Sequence, residues 1–469
     1  MRSINIRAAK DYPIVAGQLH TNQLGGLNFL QDWLGSDKPY AILAGYAGTG
    51  KSYLTAAFTR LAQEVCWGPI GVTSPTHQAR IELQKHLVLH GVNLKSEMLT
   101  ISTIHSWLGL KEDITDDGMI TFVPQGMDKS KYKDGCDILI VDESSMVDSL
   151  IGGYIDEAYR TFRGRVLFVG DPCQIPPVGE TDSYPFLQYL AGDDKFFGAF
   201  FLTNIVRQME GNPIIAMASE LRGSIEAGVS LRRFPKLLEF VDGAKICHAQ
   251  RIQDASCSTL FLSLDSIVDP RHTKALAYRN STVDAMNLIV KAGRKGVAPQ
   301  KLLPYYIGDT FILTQPLIEG NITILPNNSE VTVKSVEKGV EGEGEYRYTV
   351  YTLIVSSDII PVGSTVTLKP EPKDPKYTEL VELLLNYAKI QRKGSLERHT
   401  AWKEYYGFIR QYVPIKASFA LTAHRSQGST YRYAIIDETD IFSNRNPSER
   451  SRVAYTALTR ASEGVIILR

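Results

Sequence analysis

Lys51 and Ser52 close the run Gly45-Tyr46-Ala47-Gly48-Thr49-Gly50-Lys51-Ser52, an unbroken match to G-x-x-x-x-G-K-[ST]. Residues of these types at this spacing bind phosphate. Glycines let the backbone curl so that its N–H groups point at phosphate oxygens. Lys51 can reach the β- and γ-phosphates of a nucleotide, the Ser52 hydroxyl suits Mg²⁺, and Gly45, Ala47, Gly48, Thr49 and Gly50 form the cradle. Two carboxylates follow downstream, Asp142 and Glu143. Asp142 suits Mg²⁺ held through its water shell, and Glu143 suits orienting and deprotonating an attacking water. Gln174 is a candidate sensor of the γ-phosphate. Arg207 is a candidate for stabilising charge on the transferred phosphoryl group, with an ordinary surface arginine as the alternative, and Arg460, near a helix end and preceded by hydroxyls, is a second such candidate. Gln23 is a candidate for reading an adenine edge, since a carboxamide offers a donor beside an acceptor. A solvent-facing glutamine is the ordinary alternative.

These side chains need rigid elements behind them. The run Tyr40-Ala41-Ile42-Leu43-Ala44 reads as a strand, and Tyr53 to Phe58 as a helix, so the glycine loop has the strand and helix it requires. Ile138-Leu139-Ile140-Val141 has the unbroken apolar character of a strand buried on both faces of a parallel sheet. Charged residues at its C-terminal end are costly unless they have chemistry to do. Arg165 to Val169 is the next strand, and it delivers Gln174 through a proline-stiffened loop. Residues 18–34 have near-helical apolar spacing, with Thr21 as the expected cap. Ile70 to His77 reads as a strand ending in small polar residues, followed by a helix over 78–90. In Leu99 to Leu108, hydroxyls and a helix start at a strand end suit contacts to a phosphate backbone. His105 reads equally well as a satisfied, half-buried histidine.

Composition sets limits. The chain has 469 residues, enough for two or more domains, and 43% apolar residues, as in a soluble globular protein. No apolar run approaches the ~20 residues that span a bilayer, and the N-terminus lacks a signal-peptide core, so no membrane role and a cytoplasmic setting are expected. Five scattered cysteines without a C-x-x-C pair suggest reduced thiols and no zinc site. Lys+Arg and Asp+Glu balance at 51 each, which argues against coating nucleic acid through bulk charge but permits a narrow binding channel.

Residues 113–133 are polar around Asp116-Asp117-Gly118-Met119, a hairpin signal between Ile114 and Ile120. Phe122 and Met119 are its apolar contacts. A second series of elements begins near Pro213. Beyond about residue 318, short strands separated by Gly, Asn and Pro suggest a small antiparallel barrel, followed by two helices whose 3–4 spacing is ordinary for core. Residues 325–414 therefore read as a subdomain inserted in the second domain. The series resumes through Ala417 to Thr430, and the chain ends on an apolar strand.

The ordered set GYAGTGKS, TSPTHQA, STIHSWL, ILIVDESSM, VGDPCQIPPV, NIVRQ, ALTAHRSQGST and YTALTRAS resembles the superfamily 1B DNA helicases, most closely the phage Dda type of the RecD-like group. The resemblance runs from about residue 18 to the C-terminus. It implies an α/β fold of two RecA-like P-loop NTPase domains with ATP between them. A β-hairpin pin is inserted in the first domain, and a small SH3-like barrel with helices in the second. The division it implies is 1–112, 113–131 (pin), 132–210, 211–324, 325–414 (insertion) and 415–469. It also implies that Gln23 contacts adenine and that Lys51, Ser52, Asp142, Glu143 and Gln174 act as above, with Arg207 and Arg460 as fingers from the two sides. Gln427 and Gly428 would couple nucleotide to strand. Pro75, Thr76, His77, Thr103, His105 and His424 would lie along single-stranded DNA, and Phe122 would be the wedge of the pin, clamped by the inserted helices. Movement 5′ to 3′ comes from the family alone. Tyr46 departs from the small or polar residues usual in the loop and leaves nucleotide preference open.

The implied partners are single-stranded DNA and forked duplex, with a single-strand-binding protein or replisome components as further partners in phage replication, recombination or repair. The implied form is a functional monomer in the cytoplasm, the host's if viral. Three other readings remain at this stage: an RNA helicase, a translocase that strips proteins from a strand, and a nucleotide switch with no motor activity. The last leaves Gln427 and Arg460 without a role.

Overall fold

The computed structural model describes residues 19–66, 68–204, 213–235, 245–249, 272–319 and 322–468. Arg207 lies outside them. The first eight strands are β1 (Tyr40–Gly45), β2 (Ile70–Ser74), β3 (Leu99–Thr103), β4 (Leu110–Ile114), β5 (Ile120–Pro124), β6 (Ile138–Val141), β7 (Arg165–Gly170) and β8 (Phe196–Leu202). They are followed by β9 (Lys245–Ala249), β10 (Thr273–Ala277), β11 (Thr310–Leu313), β12 (Leu317–Glu319), β13 (Ile322–Leu325), β14 (Glu330–Glu341), β15 (Tyr348–Ser356), β16 (Val366–Leu368) and β17 (Ile415–Ala417). The chain ends with β18 (Ala420–Thr422), β19 (Tyr431–Asp437) and β20 (Ala461–Leu468). Two compact units result: Met1–Leu110 with Pro124–Val283 and Leu421–Arg469, and Lys111–Val123 with Asp284–Ala420.

The first unit holds two sheets. One has the order β3-β2-β6-β7-β1-β8, with its neighbours parallel. Every residue of β1, β6 and β7 is buried, because helices cover both faces of a parallel sheet. Alternate residues feed two cores, as a period of two requires. Ala41, Leu43, Ile138, Ile140, Leu167 and Val169 face one side with Phe58 and Trp33. Tyr40, Ile42, Leu139, Val141, Val166 and Phe168 face the other with Trp107 and Ile155. The order β6-β7-β1 sets the loops after these three strands side by side, where such sheets bind ligands. The second sheet has the order β18-β10-β19-β20-β9.

The second unit is built on an antiparallel sheet, β16-β15-β14-β11-β17, that recruits β11 and β17 from beyond 325–414. Helices Pro375–Ile390 and Leu396–Ile409 pack together. The apolar spacing of the second helix reads as core, but much of that face holds the β4–β5 hairpin. Trp402 Nε1 and Arg398 Nε donate to the Asp116 carbonyl at 3.3 and 2.5 Å, and Tyr406 Oη donates to that of Gly118 at 2.6 Å.

One local expectation is corrected. Thr21 is the first residue of helix Thr21–Gly35, and the cap is His20. Its N–H donates to Gln23 Oε1 at 3.2 Å, the return bond of a capping box.

Candidate nucleotide and strand-binding site

The glycine loop leaves β1 and enters helix Lys51–Val65. Gly48 and Gly50 have φ of 81° and 84°, a region that side chains with a Cβ rarely adopt. A Cβ on Gly50 would also lie 2.3 Å from Gln23 Nε2, so the glutamine packs directly on the loop. Gln23 is 3% exposed, which removes the solvent-facing alternative. Lys51 Nζ donates to the carbonyls of Gly45 and Tyr46 at 2.7 and 3.2 Å. Thr49 braces the loop from behind, its hydroxyl donating to the Tyr46 carbonyl at 2.8 Å.

Asp142 and Glu143 follow β6. Burial and the charge of Glu143 push the Asp142 carboxyl above its usual range, while Lys51 opposes the shift. Glu143 has φ of 51°, an uncommon conformation for a residue with a Cβ and one found at functional sites. Glu143 Oε2 and Gln174 Oε1 are buried and have no hydrogen-bond partner among the described residues. Leaving such atoms unmade costs about 1–3 kcal/mol each, so both are poised for a ligand. A buried carboxylate beside Ser52 and Lys51 fits a divalent cation carried by a triphosphate. Among the described residues no cluster of three or more His, Cys, Asp or Glu could hold a metal by itself.

These groups line a cavity of about 480 Å³. Gln23, Ala47, Gly48, Gly50, Lys51, Ser52, Asp142, Glu143 and Gln174 face Gly428, Thr430 and Arg460 from the second sheet's half of the unit. Arg460 is 5% exposed and held by the carbonyls of Thr456 and Ser429 and the Thr459 hydroxyl at 3.1, 3.1 and 3.3 Å. Gln427 does not line the cavity. Its Nε2 donates to the Ile175 carbonyl at 2.9 Å, one residue past Gln174. Gly45 and Thr49 sit behind the loop.

The remaining residues group elsewhere. β2 and β3 pair in register, Ser74 with Thr103, which sets Pro75, Thr76 and His77 beside Thr103 and His105. Thr76 and Thr103 cap the helices that follow, accepting from the N–H of Ala79 and Ser106, and each keeps a hydroxyl proton to donate. Burial holds the His77, His105 and His424 imidazoles below the usual histidine range, so they are neutral near pH 7. His424 Nε2 lies 3.5 Å from Glu449 Oε1. Phe122, in β5, belongs to the other compact unit.

Sequence reasoning missed several lining and bridging residues. His20, Tyr53, Glu82 and His86 also line the cavity. Arg452, Tyr455 and Thr456 reach from helix Pro447–Leu458 to the loop containing Gln174. The YTALTRAS run was the available signal, but a tyrosine and a threonine inside a helix read as core.

A family model described as an AAA domain matches residues 23–233, and one described as the UvrD-like helicase C-terminal domain matches 417–468. The chain is 24% identical to an uncharacterised protein of Acanthamoeba polyphaga mimivirus, over 90% of this chain and 93% of that protein. It is also 24% identical to the ATP-dependent DNA helicase Dda of Enterobacteria phage T4, over 89% and 92%. Its fold is similar to that of the Pif1 helicase from Bacteroides solved with ADP-AlF3 and single-stranded DNA. The TM-score is 0.51 at 16% identity, covering 96% of this chain and 92% of that one. The two α/β sheets of the first unit fit the two RecA-like domains of that fold. Both family models, in order along one chain, and a helicase relative matched over nearly its whole length support a superfamily 1B helicase.

Proposed function

We propose that this protein is an ATP-dependent DNA helicase that moves 5′ to 3′ on single-stranded DNA and opens forked duplex. The observation that carries the reading is the 480 Å³ cavity, in which Lys51, Ser52, Asp142, Glu143 and Gln174 face Gly428, Thr430 and Arg460. A ligand held by both halves draws them together, and loss of its terminal phosphate releases them.

Lys51 and the loop N–H groups hold the β- and γ-phosphates, and Gln23 reads the base. Ser52 and Asp142 hold Mg²⁺, which supplies charge neutralisation at the phosphates. Glu143 orients a water and accepts its proton. Arg460, and Arg207 from the other side, offset charge on the phosphoryl group. Gln174 senses that group. Gln427 and Gly428 relay its state to the strand track formed by Pro75, Thr76, His77, Thr103, His105 and His424. Each cycle must exceed about 1.4 kcal/mol per average base-pair step, which ATP hydrolysis does.

The hairpin within 113–131 acts as the pin, with Phe122 as its wedge, and the antiparallel sheet and helices of 325–414 form the SH3-like insertion that steadies it. The remaining domain division follows the sequence reading: 1–112 with 132–210, and 211–324 with 415–469. Work as a monomer in the cytoplasm on phage replication, recombination or repair forks, alongside a single-strand-binding protein or replisome components, completes the proposal. Among the described residues no helix is long and apolar enough to cross a membrane.

Strand displacement with ATP, using 5′-tailed and 3′-tailed duplexes side by side, tests it. The 5′-tailed substrate should open and the 3′-tailed one should not. Opening of the 3′-tailed substrate alone refutes the polarity. ATP turnover stimulated by RNA and not DNA refutes the substrate.

The neutral histidines give a second expectation. His105→Ala and His424→Ala should each weaken single-strand binding about two- to tenfold, the worth of one ordinary hydrogen bond. The slope of log affinity against log salt should stay the same, because a neutral ring displaces no counterion. A slope shallower by about 0.7, the worth of one phosphate contact on a single strand, would mean that the histidine is charged.

A further inference from the structure

Two tyrosine hydroxyls tie the phosphate loop to the second sheet's half of the unit. Tyr46, in the loop, donates to Glu226 Oε1 at 2.6 Å, and the Arg222 guanidinium sits 4.1 Å from its ring centroid. Both partners lie on helix Pro213–Glu226. The next loop residue, Ala47, donates its N–H to Tyr455 Oη at 3.2 Å. Tyr455 Oη in turn donates to Asp171 Oδ2 at 2.9 Å. Tyr455 and Asp171 are 1% and 0% exposed. Asp171 Oδ1 accepts the Cys173 N–H at 2.9 Å, next to Gln174. A continuous path therefore runs from the loop N–H through a hydroxyl from the second half to the carboxylate that shapes the Gln174 loop.

A phenol has one proton. The buried Asp171 carboxylate takes it, so Ala47 bonds to a neutral oxygen lone pair. The Ala47 N–H belongs to a loop whose backbone donors serve phosphate oxygens. A phosphate oxygen is the stronger acceptor, because charge-assisted hydrogen bonds are roughly twice as strong as neutral ones. The two acceptors compete for one donor, and the triphosphate wins.

We propose that Tyr455 and Tyr46 are positioning residues forming a latch, by which the second half grips the phosphate loop and yields it to ATP. Surrender of the Ala47 N–H leaves Tyr455 bonded to Asp171 alone, so the second half keeps its hold on the Gln174 loop and gives up the phosphate loop. This inference rests on the reading of the cavity as an ATP site and adds how that site communicates across the cleft.

Tyr455→Phe removes the competing oxygen and keeps the ring. Tyr46→Phe removes only the bond to Glu226 and keeps the ring under Arg222. Both should tighten binding of a fluorescent ATP analogue, Tyr455→Phe by about three- to tenfold, the range for one hydrogen bond. Both should also lower the ratio of DNA-stimulated to basal ATP turnover. A purely structural role gives the opposite: weaker binding together with a lower unfolding temperature. Glu226 is half exposed, so Tyr46→Phe keeps the test decisive should Tyr455→Phe fold poorly. Unchanged or weaker analogue binding in Tyr46→Phe, with stimulation intact, overturns the latch. Failure of the unsubstituted protein to bind the analogue at all removes the ATP-site reading, and the latch with it.

Discussion

Lys51→Ala should abolish ATP turnover and fork opening while single-strand binding stays within a few-fold of the unsubstituted protein. The Lys51 ammonium lies 2.7 Å from the Gly45 carbonyl, inside the loop that lines the cavity. Removing one preorganised donor that stabilises developing charge costs about 10²–10³ in turnover. The substitution should not unfold the protein. Lys51 opens helix Lys51–Val65, where alanine is the best helix former, and the side chain is only half-buried. Pro75 and Thr76 follow β2, and Thr103 and His105 lie at and just past the end of β3, so the strand contacts proposed for them survive. Turnover with saturating single-stranded DNA, gel-resolved fork opening and fluorescence anisotropy on labelled DNA separate these effects. A Lys51→Ala protein that still opens a fork refutes the assignment of the loop. Lys51→Arg restores charge but presents a planar fork in place of a point charge, and should recover only part of the activity.

The legibility of this site in the sequence follows the physics of each part. The phosphate loop was readable because its demands are local: positive φ at Gly48 and Gly50, then Lys-Ser at a helix start. The strands β1, β6 and β7 were readable because burial on both faces forces unbroken apolar runs. Glu143 was readable because a carboxylate at the end of such a strand is expensive without a role. Gln23 was only half readable. Its place before the loop suggested base recognition, but its burial arises from packing on Gly50 and bonding to His20, which local pattern does not encode. Tyr455 was not readable, because an aromatic residue inside a helix has the same signature whether its hydroxyl is idle or bridges to Asp171. The hairpin was readable from Asp117-Gly118. The face of Trp402 and Tyr406 that receives it looked like core, and Trp402 is indeed buried, but against the hairpin.

Gly118→Val should cut fork opening severalfold while DNA-stimulated ATP turnover stays within about twofold. Gly118 has φ of 78°, and a Cβ there would lie 2.2 Å from Trp402 Cη2. A β-branched side chain meets two penalties at once. Forcing positive φ costs on the order of 1–3 kcal/mol, and overpacking against the indole costs a further ~1–3 kcal/mol. Trp402 has little room to retreat, being 3% exposed. Against this stand the hairpin-tip bonds from Tyr406, Trp402 and Arg398, each worth about 0.5–1.5 kcal/mol net, or somewhat more for the charged guanidinium. Arg398 is itself fixed by the carbonyls of Lys389 and Gln391, so it does not follow a displaced tip. The two terms are of similar size. The tip therefore leaves the helical pair for a substantial fraction of the time, and the hairpin proposed as the pin is then not held against a duplex. Tyr406→Phe is the control. It removes a single hydrogen bond, retains the tilted ring contact with Trp402, and should leave fork opening within about twofold. The rate of 5′-tailed duplex opening, set against ATP turnover on single strands of the same length, gives the comparison. Equal loss of both activities in Gly118→Val would make the hairpin part of the motor. Undiminished opening would mean that the held tip has no part in strand separation.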